Sequence, residues 1–320
     1  MCTAVNRCGD GHLFGRTMDF EMSYGEQITV TPRGCTLFFR HLPPKARHYA
    51  LIGMTTSAAE SPLYYDAMNE KGLCMAGLLF PHSAVYRPLS KGAESVASFE
   101  LIPYVLGQCR NITEARALLS TVRVVDTPYS DALPVTPLHW MVADRMGCLV
   151  AEPTADGLKL YDDPFEVLTN EPPYPFQRQH LQNYLALSPA PPQNTLVPTL
   201  PLAPYSRGMG ALGLPGDLSS SSRFVRAAYH RHHATPLPQD PDGLHQFFHM
   251  LGTVSVPRGS VVLENGACPY TVYTSCCQPS TGRYWVTTYT HPTPVAFSLN
   301  DADIDGTELI HFPFPTVEEL

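Results

Sequence analysis

The stretch MCTAVNRCGDGHLFGRTMDF at positions 1–20 decides how this chain is interpreted. Residues 2 to 7 and 12 to 20 have strand-like composition and flank the turn Cys8-Gly9-Asp10-Gly11, which predicts a β-hairpin. A turn centred near Gly9-Asp10 pairs residues whose numbers sum to about 19–21. Cys2 is therefore expected opposite residues 17 to 19, with Arg16 and Asp19 close to it.

Cys2 is the residue with the most chemical information. Removal of Met1 would leave a thiol and a free α-amino group on one residue, with ordinary pKa values of about 8.5 and about 7.7–8.0. A neutral amine can take the thiol proton, directly or through a water, which is the pairing that covalent catalysis needs. Asp19 can hold the amino group and Arg16 can favour the thiolate. The alternative is that Cys2 is an ordinary residue near a frayed terminus.

Composition excludes several classes of protein. The 320 residues are 44% hydrophobic and 16% charged, which favours a globular chain with a sizeable core over disorder. The 32 prolines indicate many loops and short elements rather than a helix bundle. A net charge of -8 without any run of Lys or Arg argues against nucleic-acid binding.

Cysteine usage and the first residues suggest a compartment. Nine cysteines occur without a C-x-x-C pair or zinc-type spacing, so a reduced setting is favoured over a disulfide framework. The start of the chain has no basic segment followed by an apolar one, and no apolar run approaches the roughly 20 residues of a membrane span. We therefore expect a cytoplasmic protein without membrane insertion.

Further elements follow the hairpin. Strand-like runs rich in Val, Thr, Tyr and Trp occur at 27–31, 138–143, 148–152, 271–276, 284–289 and 295–299. Helices are predicted over 95–108, over 115–119 after an Asn111 cap, over 223–233 after the serines at 219–222, and after an Asp242 cap. The proline-rich run 189–204 is predicted to be a long surface loop. Strands at both ends with helices between them predict an α+β fold with mostly antiparallel sheets.

Several motifs in order resemble one family. They are Met1-Cys2-Thr3, Leu13-Phe14-Gly15-Arg16-Thr17-Met18-Asp19, the runs at 68–73, 137–140, 167–172 and 213–217, Ser222-Arg223-Phe224 and Tyr273-Thr274-Ser275. Together they resemble the choloylglycine hydrolase family, which contains bile salt hydrolases and penicillin V acylases. The resemblance spans nearly the whole chain.

The resemblance implies a fold and a set of site residues. It implies one domain over residues 1–320 with Met1 removed, folded as a four-layer αββα sandwich of the N-terminal-nucleophile hydrolase type, with no cofactor and no metal. Cys2 would be nucleophile and base, positioned and activated by Arg16 and Asp19. Asn170 would bind the oxyanion through its side-chain amide, and Arg223 would stabilise the charged site. Taken alone, Asn170 resembles a turn residue and Arg223 a solvated helix residue.

One position departs from the family. Bile salt hydrolases usually carry Asn, and penicillin V acylases often carry Tyr, where this chain has Leu79. An aliphatic side chain donates no hydrogen bond, so either the Leu79 backbone N–H serves the oxyanion without a side-chain partner there, or the site is less efficient. We expect Leu79 and the following Phe80 to contact substrate.

The sequence thus predicts an amide hydrolase acting on glycine- or taurine-conjugated bile salts. Penicillin V acylase, or hydrolysis of another N-acyl amide, is the alternative enzyme. An inactive relative that binds amphipathic acids is the alternative of another class. The resemblance also implies a homotetramer. His230, His232 and His233 look like a metal cluster, but only two of them share a helix face, so we predict a solvated basic helix end.

Overall fold

The N-terminal hairpin forms as predicted. A computed structural model describes residues 1–8, 11–57, 61–90, 92, 94–240 and 242–315, so the turn residues Gly9 and Asp10 lie outside the described residues. Strand β1 (Cys2–Arg7) pairs antiparallel with β2 (Leu13–Phe20). Cys2 lies opposite Met18, which confirms the predicted register.

Fourteen further strands are described. They are β3 (Glu26–Thr31), β4 (Leu51–Thr56), β5 (Tyr64–Asn69), β6 (Cys74–Leu79), β7 (Glu94–Ala97), β8 (Val122–Val125), β9 (Leu138–Asp144), β10 (Gly147–Thr154), β11 (Gly157–Asp162), β12 (Val167–Leu168), β13 (Tyr270–Gln278), β14 (Arg283–Thr288), β15 (Val295–Ser298) and β16 (Ile310–Phe312). Every predicted strand is present, with ends that differ by one or two residues.

The strands form two large antiparallel sheets. The six-stranded sheet has the order β12-β1-β2-β13-β14-β15, so the hairpin lies near its centre. The eight-stranded sheet has the order β11-β10-β9-β6-β5-β4-β3-β16. A separate parallel pair joins β7 and β8.

The helices cover the outer faces of these sheets. They are α1 (Leu101–Leu106), α2 (Ile112–Leu119), α3 (Tyr174–His180), α4 (Ser220–His233) and α5 (Leu244–Gly252), with short 3-10 turns at Ser98–Glu100, Leu181–Tyr184, Met209–Ala211, Pro279–Thr281 and Leu299–Asp301. Helices α4 and α5 pack on the six-stranded sheet, and α1 and α2 on the eight-stranded one. Since the sheets also face each other, most central strands are buried on both faces. The predicted αββα sandwich is confirmed.

Two helix starts follow their predicted caps. The side chain of Asn111 accepts a hydrogen bond from Glu114 N at 3.0 Å, and Ser219 accepts one from Ser222 N at 3.4 Å. Each cap satisfies one of the amide groups that a helix leaves unpaired at its N-terminus. Helix α4 therefore begins three residues earlier than predicted, which places Arg223 inside its first turn.

Two helix predictions are wrong in detail. Residues 95–97 belong to β7 instead of a helix, because Val96 and Ala97 pair in parallel with Val124 and Val125, and this long-range pairing overrides the local pattern. Asp242 does not cap α5: Gly243 occupies the cap position, and the Asp242 carboxylate accepts a hydrogen bond from Gln278 instead.

The proline-rich run is a long exposed connection, as predicted. Residues 189–204 contain no helix or strand, and Leu196, Leu200, Leu202 and Tyr205 expose much of their apolar surface. Within the described parts of the chain, no helix combines the length and the apolar character needed to cross a membrane.

Candidate active site

The hairpin register divides the predicted catalytic residues between two faces. Residues that lie opposite each other in an antiparallel pair point to one face, and alternate residues share it. Cys2, Arg16 and Met18 therefore point toward the eight-stranded sheet. Thr17 and Asp19 point to the other face, toward helix α4.

Arg16 lies beneath Cys2 as a buried cation between the sheets. Its Nη1 donates to Gly77 O at 2.6 Å and to Tyr65 O at 3.3 Å, and its Nε donates to Thr17 O. Burial opposes the charge of Arg16, but the nearby Cys2, together with Tyr273, Asp66 and Asp19, raises the pKa of Arg16 above its ordinary value. Arg16 therefore stays cationic next to Cys2.

Asp19 is fully buried on the opposite face of β2. Thr271 Oγ1 donates to Asp19 Oδ1 at 2.6 Å, and Thr17 Oγ1 donates to Oδ2 at 3.1 Å. The backbone of Asp19 pairs with Met1: the Met1 amino group donates to Asp19 O at 2.7 Å, and Asp19 N donates to Met1 O at 3.0 Å. Asp19 therefore lies where the chain terminus is bound, although its carboxylate does not receive the Cys2 N–H.

Asn170 receives that N–H instead. Cys2 N donates to Asn170 Oδ1 at 2.8 Å, and Arg223 Nη2 donates to the same oxygen at 2.7 Å. Two donors on Oδ1 fix the orientation of the amide, so that Nδ2 donates to Leu79 O at 2.8 Å. One Asn170 side chain thus joins the backbone nitrogen of the predicted nucleophile to the end of β6.

Arg223 is buried, in contrast to the solvated residue that its helix position alone suggests. Its Nη1 donates to Cys2 O at 2.5 Å and to Thr3 Oγ1 at 2.7 Å, and its Nε donates to Leu218 O at 3.0 Å. Burial lowers the pKa of Arg223 from its ordinary value, and the charges of Asp19 and Cys2 oppose that change. The structure therefore brings Cys2, Arg16, Asn170 and Arg223 together, with Asp19 directly behind the strand.

Leu79 presents its backbone to this cluster. Phe80 N donates to Pro137 O at 2.9 Å across the β6–β9 ladder. Because the direction of hydrogen bonding alternates along an antiparallel strand, the N–H and C=O of Leu79 point away from β9. Its C=O meets Asn170, so its N–H points to the same side of the strand.

A mostly apolar cavity of about 340 Å³ opens above Cys2, Arg16 and Leu79. Its other walls include Met18, Phe20, Leu63, Phe99, Tyr129, Leu133 and Leu138. Phe80 does not line it, because neighbouring strand residues point to opposite faces. The Phe80 ring is fully buried and stacks on His139, with 4.3 Å between ring centroids. We therefore withdraw the expected substrate contact of Phe80 and keep that of Leu79.

The predicted histidine cluster shows no metal geometry. His230, His232 and His233 lie in the last turn of α4, where His230 and His233 contact the Tyr229 ring. Among the described residues, no three His, Cys, Asp or Glu side chains come close enough to hold a metal ion together. All nine cysteines are free thiols.

Comparison with known proteins identifies the family. Residues 2–312 match the family described as linear amide C–N hydrolases, choloylglycine hydrolase family. The chain belongs to the choloylglycine hydrolase family. It is 44% identical to a bile salt hydrolase/transferase of Lactiplantibacillus plantarum over 98% of this chain and 97% of that protein.

Solved structures agree with that assignment. A variant of the conjugated bile acid hydrolase from Clostridium perfringens superposes with a TM-score of 0.91 at 31% identity, covering 100% of both chains. Penicillin V acylase from Agrobacterium tumefaciens shares the fold at a TM-score of 0.78 and 18% identity, over 97% of this chain and 90% of that one. This choloylglycine hydrolase family member thus has the predicted N-terminal-nucleophile hydrolase fold.

Sequence reasoning missed several groups around the site of this hydrolase. Thr271 holds the Asp19 carboxylate, but it lies 252 residues away in sequence. Asp66 is a fully buried carboxylate that accepts hydrogen bonds from Tyr273, Ser275 and Tyr284 across the two sheets. Burial raises the pKa of Asp66, and the charge of Arg16 opposes that rise. No local pattern marks these partners, since each contact joins distant strands.

Proposed function

We propose that this family member hydrolyses the amide bond of glycine- or taurine-conjugated bile salts, with the thiol of Cys2 as nucleophile after removal of Met1. The observation that carries the proposal is the junction of Cys2, Arg16, Asn170 and Arg223 at the base of an apolar cavity. The relatives named bile salt hydrolase/transferase and conjugated bile acid hydrolase support the substrate class.

Each predicted catalytic residue has a place in the proposed mechanism. Once Met1 is removed, the nitrogen that donates to Asn170 Oδ1 is the free α-amino group of Cys2. In its neutral form this amine takes the thiol proton, and Arg16 stabilises the resulting thiolate. Arg223 holds the carbonyl oxygen of Cys2, and removal of Met1 frees the backbone groups of Asp19, which bind Met1 in the unprocessed chain, next to the new amino terminus.

The proposed reaction passes through an acyl-thioester on Cys2. The thiolate forms a bond to the amide carbon, and the carbonyl oxygen becomes an oxyanion that accepts from Asn170 Nδ2 and the Leu79 N–H. The C–N bond breaks as the Cys2 ammonium returns its proton to the leaving glycine or taurine nitrogen. A water then gives a proton to the amine and adds to the thioester, which releases the bile acid and the thiol.

The acyl-thioester stage leaves a second outcome open to the same site. An amine in place of water would form a new amide by the same steps, and the relatives named hydrolase/transferase favour this possibility. Penicillin V is the alternative substrate for hydrolysis. The aromatic pair Phe99 and Tyr129 in the cavity wall, with ring centroids 5.4 Å apart, offers an edge-to-face surface for its phenoxy group.

We further propose that residues 1–320 act as one cytoplasmic domain that assembles into a homo-oligomer, a tetramer by family resemblance. The exposed apolar side chains of the 189–205 connection support assembly, because apolar side chains that gather on one exposed segment can be buried by contact with another copy of the chain. Analytical ultracentrifugation of the wild type and of a Leu196→Ser/Tyr205→Ser variant tests it. A monomeric wild type would refute the assembly.

One assay tests the main proposal. Purified protein is incubated with taurocholate, glycocholate or penicillin V, and released taurine, glycine or 6-aminopenicillanic acid is quantified. Intact-mass measurement of the same preparation should show loss of Met1. No release from either bile salt, or full activity in protein that retains Met1, would contradict the proposal. An inactive relative would bind bile salts without releasing an amino acid.

A further inference from the structure

Two chain segments supply the proposed oxyanion donors, and they contact each other directly. Residues 79–83 begin at the last residue of β6, and residues 169–171 follow β12. Asn170 Nδ2 donates to Leu79 O at 2.8 Å. Glu171 Oε1 accepts from His82 N and Ser83 N, each at 2.9 Å. The distance between the two donors therefore depends on how these segments are held.

The buried imidazole of His139 contacts both segments. His139 Nε2 lies 2.8 Å from Thr169 O, the carbonyl directly before Asn170. The same ring stacks on Phe80, directly after Leu79, with an interplanar angle of 9°. His139 is fully buried, so its contacts are set by the protein and not by solvent.

Glu152 fixes the orientation of that imidazole. The β9–β10 register makes Glu152 the cross-strand neighbour of His139, and its Oε1 lies 3.2 Å from His139 Nδ1. Oε1 also accepts from Tyr174 N at 2.9 Å. The other oxygen, Oε2, is buried and has no hydrogen-bond partner among the described residues.

The hydrogen-bond partners of His139 and Glu152 determine where the protons of this pair lie. Thr169 O is only an acceptor, so Nε2 carries a hydrogen and donates. Nδ1 and Oε1 then share one further proton, because two bare lone pairs facing each other in the protein interior would leave both groups unsatisfied. The ring is therefore held at both nitrogens and on one face.

We propose that His139, held by Glu152, is a positioning residue for amide hydrolysis: it sets the separation of the Asn170 amide and the Leu79 N–H above Cys2. This inference rests on the proposed function of those two donors. An oxyanion donor acts on charge that develops in the transition state, so its displacement lowers kcat and leaves KM nearly unchanged.

Two substitutions separate the contributions of the pair. His139→Phe keeps an aromatic ring against Phe80 and removes both hydrogen bonds. Glu152→Gln keeps the shape and removes the shared proton. His12→Gln is the matched control, because His12 is also buried and bonded to one side chain, Asn6, but lies at the far end of the hairpin. Circular dichroism and thermal melts establish that each variant is folded.

The expected result is a loss confined to kcat. A displacement of about 1 Å costs on the order of a hundredfold in rate, so we expect about this loss for His139→Phe and about tenfold for Glu152→Gln on taurocholate. KM and the rate of Cys2 alkylation by iodoacetamide should stay within about threefold of the wild type, since the nucleophile lies on another strand. His12→Gln should retain the wild-type kcat.

Several outcomes overturn the inference. Folded variants with wild-type kcat, or a loss that appears in KM, would show that His139 is only a core residue. A loss of equal size in His12→Gln would show a general effect of destabilisation. If His139→Phe does not fold, Glu152→Gln decides by the same criteria. Turnover in Cys2→Ala would instead refute the proposed function, which keeps the two failures distinguishable.

Discussion

The two ends of the N-terminal hairpin carry the same kinds of side chain in opposite electrostatic settings. At one end Cys2 lies with Asn170, Arg16 and Arg223, and no carboxylate among the described residues receives a hydrogen bond from it. At the other end Cys8 donates from its Sγ to Glu166 Oε1 at 2.7 Å, beside Asn6. Both thiols belong to one short segment, so the difference lies in their partners.

The two thiols have different charged neighbours. Burial raises the pKa of the Cys8 thiol by more than the Asn6 hydrogen bond and the charge of Arg231 lower it, and Asp144 raises it further. The Arg231 guanidinium is also paired with Glu166, which reduces its effect on the sulfur. Cys8 is thus held as a thiol that donates, whereas Cys2, the proposed nucleophile, lies beside the guanidinium groups of Arg16 and Arg223.

Replacing the two thiols gives the largest expected difference. Cys2→Ala should lower taurocholate turnover by about a thousandfold or more, because the proposed nucleophile and its bond to the acyl group are lost. Cys8→Ala should keep kcat close to wild type and lower only the melting temperature. Steady-state taurine release from both folded variants measures this. Equal losses in the two variants would contradict the comparison.

Replacing the two asparagines gives the next largest difference. Asn170→Ala removes a proposed oxyanion donor and should lower kcat by about 10²–10³-fold with little change in KM. Asn6→Ala removes the bonds to Glu166 and His12 and should change stability only. Measurement of kcat and KM on taurocholate for both variants tests this difference. A KM effect without a kcat effect in Asn170→Ala would place Asn170 in ground-state binding.

At the Cys2 end of the hairpin, the sequence predicted the contacts within the hairpin better than the contacts from distant segments. The turn position fixes the register, so the proximity of Arg16 and Asp19 to Cys2 follows from local rules. The contacts of Asn170 and Arg223 join β1 to β12 and α4, and no local pattern encodes them. Their positions came from the family resemblance, and the face on which Asp19 lies came from the structure.

The central strands show a second limit of prediction from sequence. Sequence periodicity did not detect β4, β5 or β6, because strands covered on both faces lack the alternation of apolar and polar residues. The His139–Glu152 pair was missed for a related reason: its proposed positioning role depends on which chain segments the folded sandwich brings into contact with the imidazole ring. Phe80 was assigned to substrate although the strand alternation beside Leu79 turns it into the core.

Alkylation rates provide a smaller and more direct test of the two thiols. At pH 7.5, iodoacetamide should modify Cys2 at least about tenfold faster than Cys8, since reaction requires the thiolate. A raised pKa means less thiolate at a given pH, so modification of Cys8 should still increase as the pH passes through the ordinary range of a thiol. Peptide mapping by mass spectrometry resolves both sites. Faster modification of Cys8 would contradict the assigned charges.

Substitution of Leu79 gives the smallest expected change in kinetics, because its side chain carries no charge near Cys2. Leu79 lines the cavity beside Cys2, at the position where the family resemblance leads us to expect Asn or Tyr. Leu79→Asn adds a side-chain donor and should raise kcat on conjugated bile salts or leave it unchanged, since Asn170 and the backbone N–H of Leu79 are already proposed to serve the oxyanion.

Leu79→Tyr should shift preference toward penicillin V, because it places an aromatic ring near the proposed phenoxy position. The measurement is kcat/KM for wild type and both variants on taurocholate and penicillin V. We expect the ratio of kcat/KM for the two substrates to change by more than about threefold in at least one variant, a shift of more than about 0.6 kcal/mol. A smaller change in both would mean that the Leu79 side chain does not select the acyl group. Specificity would then reside in the opposite wall, where Phe99 and Tyr129 lie.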